Sequence, residues 1–391
     1  MLTSRRRIRL TAGLVTAVLV SLPTAASATA PAAPAATSGR GTLLSVSCVS
    51  TTDCVAVGSY ENPPAAHPVA ARWNGTSWSS LTTFPAPPHH ATDTELFGVA
   101  CPAAGDCLAV GSYAWLASSG AYNSRPLAER WNGTTWSRIP VPIQARSPQS
   151  GLFGVACVSA TDCWADGSSG EQFSRTLIEH WNGSAWSIVP SPNPRDTASD
   201  LASVACPSRN ECWAVGSDLS GQQEGTLTER WNGSAWSVTA TPAATGNRLM
   251  FDVSCSGDQA CLAVGVNNGV SGPGHPGDVA QRWTGKSWVT VTLAKLADAS
   301  LNGVSCVSAS DCESAGSRGY ARTYPLAGRW TGTAWRSQPT PALPGKTPAG
   351  ELLGITCLRA DWCWAVGDNH IGLDATPIEE HWNGQTWSLA G

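Results

Sequence analysis

The chain has 391 residues with 24 basic against 28 acidic side chains, a net charge of −4 that excludes the basic footprint of a nucleic-acid-binding protein. Charged residues are only 13% of the total, about half the usual share, and with 19 tryptophans and 39 glycines this composition suits an all-β exported protein. No apolar run beyond the N-terminus reaches the roughly 20 residues of a membrane-spanning helix, so no span is expected.

Residues 1–28 read as a secretory signal peptide. Arg5, Arg6, Arg7 and Arg9 precede an apolar stretch from Leu10 to Leu22, and Ala26-Ser27-Ala28 and Ala28-Thr29-Ala30 are both small-x-small cleavage sites. Ser4 to Ile8 also looks like a twin-arginine signal, which leaves both export routes open. Removing this segment leaves 20 basic against 28 acidic residues, a net charge of −8. No cysteine lies near the cleavage site, so a lipid anchor is not expected. The prevalence of arginine over lysine, with abundant Ala and Gly, points to a GC-rich bacterial genome. Residues 29–42 form an Ala/Pro-rich linker, and 43–391 a single secreted, extracellular domain.

That domain is repetitive. Fourteen cysteines fall into seven Cys-x5-Cys pairs: Cys48/Cys54, Cys101/Cys107, Cys157/Cys163, Cys206/Cys212, Cys255/Cys261, Cys306/Cys312 and Cys357/Cys363. Each pair is followed by one Trp-x-Gly-x-x-Trp, from Trp73/Trp78 to Trp382/Trp387, and the first cysteines stand 53, 56, 49, 49, 51 and 51 residues apart. A self-similar unit of this length marks a propeller, solenoid or array. An even cysteine count in an exported chain reads as disulfides. Zinc sites use closer cysteine spacing, and no histidine recurs with the repeat.

One unit reads as four short strands. In the third, Leu152–Cys157 is an apolar run, Cys163–Gly167 a second closed by Gly and Ser, Leu177–Trp181 a third and Trp186–Pro190 a fourth. Asn182-Gly183 between the last two is hairpin-turn chemistry, and the same turn accounts for the sequons at Asn74, Asn132, Asn182 and Asn232 without glycosylation. Four short strands with regular turns make a propeller blade. The two cysteines then flank the first turn, where facing residues lie within disulfide reach. Small residues beside each first cysteine (Ser47, Ala100, Ala156, Ala205, Ser254, Ser305 and Thr356) suit strands crowding a central axis. The paired tryptophans suit outer strands, where diverging blades leave space to fill. The predicted fold is a seven-bladed β-propeller of four-stranded antiparallel blades with one disulfide each. Its ring closes by side-chain packing or by an added strand from 31–42.

The unit resembles that of the kelch-type β-propeller over about residues 43–391. The second strand carries Ala-Val-Gly at Gly58, Gly111, Gly216, Gly265 and Gly367, with variants at Gly167 and Gly316, and a tight turn before a Trp follows. The chain lacks the kelch Gly-Gly pair and adds the cysteines. The resemblance implies the fold; propellers serve many functions.

Strand alternation places the disulfide turns and Asn-Gly turns on one face and the loops between strands two and three, with the blade linkers, on the other. The latter vary: 15, 20, 14 and 18 residues separate the strand-two Gly from the first hairpin Trp in units one, two, three and five. Variable loops on a rigid scaffold are where binding is expected. Unit two carries Tyr113, Trp115, Tyr122 and Arg125, and unit six Arg318, Tyr320, Arg322 and Tyr324. Such Tyr, Trp and Arg side chains are typical binding anchors. Gln222, Asn267, Asn268 and Asn369 are candidate sugar partners. His67, His89, His90, His275 and His370 share this face, without partner ligands for a metal, and no cofactor is implied. Glu129, Glu179, Glu229 and Glu380 recur before the strand-three Arg or His and read as structural ion pairs; Asp53, Asp106, Asp162 and Asp311 read as turn residues. With no copper-oxidase ligand set, sialidase-type Asp-box, Gly-x-Ser-x-Gly or His-Glu-x-x-His, the expectation is a monomeric, non-catalytic protein recognising an extracellular glycan or protein. The alternatives are a polysaccharide-modifying enzyme, which predicts convergent carboxylates in one pocket on the variable-loop face, and a structural cell-surface protein.

Overall fold

The computed structural model describes residues 41–390 except 63–64, 82–83, 88–90, 146, 171–173, 194–197, 221–222, 243–246, 268–277, 294–298, 320–321, 346–348 and 372–373. The expected signal peptide and all but the last two residues of the expected linker lie outside the described residues. These form twenty-eight strands and no helix, in seven successive antiparallel groups of four. Blade three is representative: Gln149–Ser159 innermost, then Asp162–Gly170, Ser174–Trp181 and Trp186–Val189 outermost. Blades one and two are further joined by a parallel bridge between Ala66 and Asp93.

The repeat's fixed residues each answer a local constraint. The seven Cys-x5-Cys pairs all close as disulfides, with Cα–Cα separations of 4.0–4.1 Å, because the short turn sets the two cysteines opposite each other. The two halves of each bridge differ in surroundings, which their even spacing did not reveal. Cys48, Cys101, Cys157, Cys206, Cys255, Cys306 and Cys357, on the innermost strands, are partly exposed. Their partners Cys54, Cys107, Cys163, Cys212, Cys261, Cys312 and Cys363 are buried, at 3% exposure or less. The cause is the next strand: Cys54, Cys107, Cys163, Cys212, Cys312 and Cys363 each stand opposite the first tryptophan of their own hairpin. These seven second cysteines are therefore core residues that pack the seams and present nothing to a ligand.

The paired tryptophans likewise face each other across the outer hairpin, ring centroids 5.6–6.0 Å apart. The first indole of the pair reaches inward: Trp73, Trp181, Trp231, Trp330 and Trp382 donate to a carbonyl of their blade's disulfide turn at 3.0–3.3 Å. The second-strand glycine does not end that strand, as the sequence suggested; strand two of blade two runs from Asp106 to Leu116, past Gly111. It is glycine because the innermost strand bulges between Leu96 and Gly98, and a Cβ at Gly111 would lie 1.8 Å from the Glu95 carbonyl.

Blades meet in seams of two layers. The outer layer is apolar: Leu108 and Val110 of blade two pack with Leu152, Ala165, Trp181 and Trp186 of blade three. The inner layer is polar, and there side chains of one blade accept backbone N–H groups of the next. Ser45 and Ser47 cap Val99 and Cys101, Ser254 caps Cys306, Ser305 caps Cys357, and Asp252 Oδ2 caps Val304, at 2.8–3.3 Å. These innermost strands surround a channel of about 340 Å³. The ring closes by the same packing. Leu43, Val46 and Ala56 of blade one meet Trp362, Trp364 and Val366 of blade seven, Gly41 N–H donates to Ala375 O at 2.7 Å, and Thr42 Oγ1 to Asp368 Oδ2 at 2.8 Å. The described residues thus close the ring by side-chain packing together with this backbone hydrogen bond from Gly41, and residues 31–40, the candidate for an added strand, lie outside them.

The strand-three acids depart from expectation. Among the described residues only Glu129 of these forms the anticipated ion pair, with Arg138 at 3.2 Å, and burial still pushes it up to about 7. Glu179 and Glu380 are fully buried, and neither carboxyl group has a hydrogen-bond partner among the described residues. Burial pushes both up to about 8. Glu229 accepts Ser191 Oγ at 2.8 Å and is likewise pushed up to about 8, by burial first. The ion pairs lie one layer outward instead, between strand-three arginines and the acids that precede the second cysteine: Arg72–Asp53, Arg130–Asp106, Arg230–Glu211 and Arg329–Asp311, at 2.8–2.9 Å. An arginine can reach the wet rim of the seam, whereas a glutamate one residue earlier faces its dry interior and holds its proton there.

This arrangement makes stability depend on pH. Unfolded glutamates lose their protons near 4.5 and these folded ones near 8, so within that window the folded state binds more protons. Raising the pH through the window therefore destabilises the fold. The melting temperature should be highest near about pH 5 and decline toward about pH 8. The isosteric, uncharged pair Glu179→Gln with Glu380→Gln should flatten that decline in a thermal melt series; an unchanged slope would remove these carboxyls as its source.

Candidate functional site

The two faces differ in construction. On one, the disulfide turns touch the Asn-Gly turns: Gly183, at φ +92°, packs on Thr161. Asn182 Oδ1 accepts Ser184 and Ala185 N–H at 2.9 and 3.0 Å, so this Asn shapes its own turn. The opposite face carries the tips of the strand-two/strand-three hairpins and the blade linkers.

The unit-two candidates lie on strands rather than in a loop, since the hairpin extends to Leu116 and Tyr122. Tyr113 and Trp115 stack at 5.9 Å, and the Arg125 guanidinium lies 5.5 Å from the Trp115 ring. Arg125 Nη1 also donates to the carbonyls of Ser124, Ser147 and Pro148 at 2.9–3.0 Å. It thus clamps the linker to blade three, while Tyr113 packs against the seam between blades one and two. Tyr122 does not join this stack. In unit six, Arg318, Arg322 and Tyr324 lie at the surface, with Arg318 opposite Tyr324 in the strand register; Tyr320 lies outside the described residues. So do His89, His90, His275, Gln222 and Asn268. Asn369 is buried and donates to Pro344 O at 3.3 Å, which removes it as a sugar partner.

Tyr122 belongs to a group that sequence reasoning missed. Asp93 and Glu95 open the innermost strand of blade two, Asp93–Ala103, at the edge of the seam with blade one. Asp93 Oδ1 accepts Ala66 N–H at 3.2 Å, and its Oδ2 accepts Thr92 Oγ1 at 3.3 Å. Glu95 Oε1 accepts Ser59 Oγ at 3.3 Å. Burial pushes Glu95 up to about 7; the Ser59 hydrogen bond opposes this, and the charges of Asp93 and Glu61 add to it. Tyr122 is pushed up to about 12 by burial, by the charges of Asp93 and Glu95, and by its hydrogen bond to Asp93. Tyr60 and His67 stack at 5.1 Å on the neighbouring hairpin of blade one. Thus a carboxyl that holds its proton near neutrality stands beside another carboxylate and a phenol that stays protonated, a set able to give and accept protons. The sequence does hold a signal: unit two alone carries acids at both of these positions before its inner-strand leucine.

The central channel offers less. Its one charged lining residue, Asp252, is occupied on both oxygens, by Ser203 Oγ at 2.6 Å and Val304 N–H at 2.8 Å. Among the described residues no group of His, Cys, Asp and Glu could hold a metal ion.

No sequence family matches the chain, and no curated protein does. Solved structures do. A polysaccharide lyase of family 25, an ulvan lyase bound to -[GlcA(1-4)Rha3S]-, is similar at a TM-score of 0.58 and 11% identity, over 90% of this chain and 96% of its own. YCF48 from Cyanidioschyzon merolae is similar at 0.52 and 12%, over 84% and 94%. Sqt1 from Chaetomium thermophilum, bound to the N-terminus of ribosomal protein L10, is similar at 0.51 and 11%, over 90% and 87%. At these identities the likeness defines the class, the β-propeller, and gives no support to the kelch subtype. It also corrects the expectation of a non-catalytic protein, because an enzyme shares the fold across nearly its whole length. That expectation rested on missing linear motifs, whereas a propeller assembles a site from separate blades.

The Arg125 clamp is testable. Arg125→Ala should leave the disulfides and overall fold intact but raise hydrogen exchange in residues 141–148, read by mass spectrometry. Unchanged exchange there would show that the three carbonyl contacts do not hold the linker.

Proposed function

We propose that the protein is exported and modifies an extracellular polysaccharide, cleaving a glycosidic linkage with Glu95 and Asp93 as its acid–base pair. One observation carries this reading: Glu95, Asp93 and Tyr122 converge at the seam of blades one and two on the variable-loop face, where the enzyme alternative required convergent carboxylates. The ulvan lyase supports it as an enzyme of this fold with a sugar chain bound. The seven disulfides suit an oxidising compartment, and no helix of the described residues is long and apolar enough to cross a membrane.

Breaking the linkage requires a proton on the departing sugar oxygen. Glu95, pushed up to about 7, retains one to deliver. Asp93, held by Ala66 N–H and standing beside Tyr122, serves as the base as the glycosidic C–O bond breaks: it takes the proton of a water whose oxygen bonds the anomeric carbon, or, on a uronate, the ring proton whose loss forms the carbon–carbon double bond. Tyr60 and the Tyr113–Trp115 stack supply aromatic faces for neighbouring sugars. Arg318, Arg322 and Tyr324 offer a further contact patch on the same side of the ring.

The test is release of reducing or unsaturated sugar ends from a panel of polysaccharides. Glu95→Gln should lower the rate at least about 100-fold without changing the melting temperature. Wild-type activity should fall as the pH rises above about 7, because Glu95 then gives up its proton. Full activity in Glu95→Gln would overturn the assignment, as would the absence of product from every polysaccharide.

A further inference from the structure

The repeat's own rule exposes a second site, on the opposite face. In the seam of blades four and five, Arg230 is held by Glu211 and lies 5.5 Å from the Trp213 ring and 5.6 Å from that of Trp283. Its guanidinium covers the aromatic edge, and Trp283 is only 5% exposed. In the preceding seam the tryptophans are Trp164 and Trp231, with centroids 4.7 Å apart, but the covering residue is His180. The shorter imidazole lies 4.5 Å from Trp164, and its Nε2 is 2.9 Å from Asp162 Oδ1. It does not reach over Trp231, which is partly exposed. A cavity of about 440 Å³ opens there, lined by Asp162, Trp164, His180, Arg209 and Trp231 among others. Arg209 enters from the disulfide turn of blade four, 70% exposed, with Nη2 3.9 Å from Asp162 Oδ2. Blade seven also carries a histidine here, His381, but Trp362 replaces the acid and packs against it at 5.5 Å. Among the described residues, only the seam of blades three and four combines an open indole with an acid–histidine pair and a nearby guanidinium.

We infer that this cavity binds a neutral pyranose unit of a polysaccharide, as a non-catalytic docking site distinct from the acid–base pair on the other face. The Trp231 ring covers the apolar face of the sugar. Asp162, oriented by His180, accepts sugar hydroxyls, and Arg209 donates to them. The opposite charges of Asp162 and Arg209 cancel, which favours an uncharged sugar over a uronate or sulfate.

Affinity electrophoresis tests this, with a soluble cellulose derivative, galactomannan and starch as neutral probes and polygalacturonate as the acidic one. At least one neutral glycan should retard the wild type, and polygalacturonate should not. His180→Arg restores the residue that blades one, two, four, five and six carry and places a guanidinium over Trp231, as Arg230 lies over Trp283; it should fold with an unchanged or higher melting temperature and lose retardation. Arg209→Ala, at an exposed position, should weaken binding about tenfold through the lost charged hydrogen bond. Glu95→Gln should bind as wild type, which separates this site from the catalytic one. The inference fails if no neutral glycan retards the protein, if only polygalacturonate does, or if folded His180→Arg or Arg209→Ala binds as wild type.

Discussion

Everything in this molecule depends on the seam between one blade and the next. A four-stranded blade is apolar on both faces and cannot be stable alone, so each must be covered by a neighbour on either side. The ring is the arrangement in which no blade is left uncovered. Here blade seven meets blade one through Trp364 and Trp73, centroids 4.8 Å apart, as Trp164 of blade three meets Trp231 of blade four. The disulfide and the tryptophan pair in each blade serve the seam indirectly. One fixes the inner hairpin, the other the outer, and the indole-to-carbonyl hydrogen bond joins the two, so that the packing face is rigid before it meets its neighbour.

Rigid, dry seams also control the chemistry of whatever is placed in them. Glutamates facing the interior keep their protons past neutrality, which is tolerable for a fold only because a neutral carboxyl costs far less to bury than a charged one. At the edge of a seam the same effect becomes useful. Glu95 is buried enough to be shifted upward yet remains partly exposed, beside a second carboxylate. The candidate sites therefore arise where one unit departs from the repeat's pattern at a seam edge. Unit two has acids before its inner-strand leucine, and unit three has a histidine where most units have arginine.

The fold was largely legible because its determinants are local and repeated. Cys157 and Cys163 are six residues apart and meet across one turn; Trp181 and Trp186 are five apart and do the same. Seven independent copies of such short-range pairings define the strands, their order and the faces. The strand ends were less legible, since Gly111 looked like a terminus when it is a point of close approach to a bulge on another strand. Nor did spacing tell the two cysteines of a bridge apart: Cys163 is buried and Cys157 is not, because only the former lies against Trp181 on the next strand. The unit-two residues were singled out from the sequence as ligand anchors, but Arg125 is engaged with linker carbonyls and Tyr122 lies beside Asp93, neighbours that are 22–29 residues away in sequence.

The sequence by itself determined the blade: its four strands, its disulfide, its tryptophan hairpin and the number of times it recurs, because each follows from residues near one another in the chain. Only the tertiary structure decided what shares a seam. Glu95 and Ser59 are 36 residues apart, and Trp164 and Trp231 are 67 apart; each pair meets only because successive blades turn about a common axis. Proton affinity and an open ring face depend on that burial, which no linear spacing encodes.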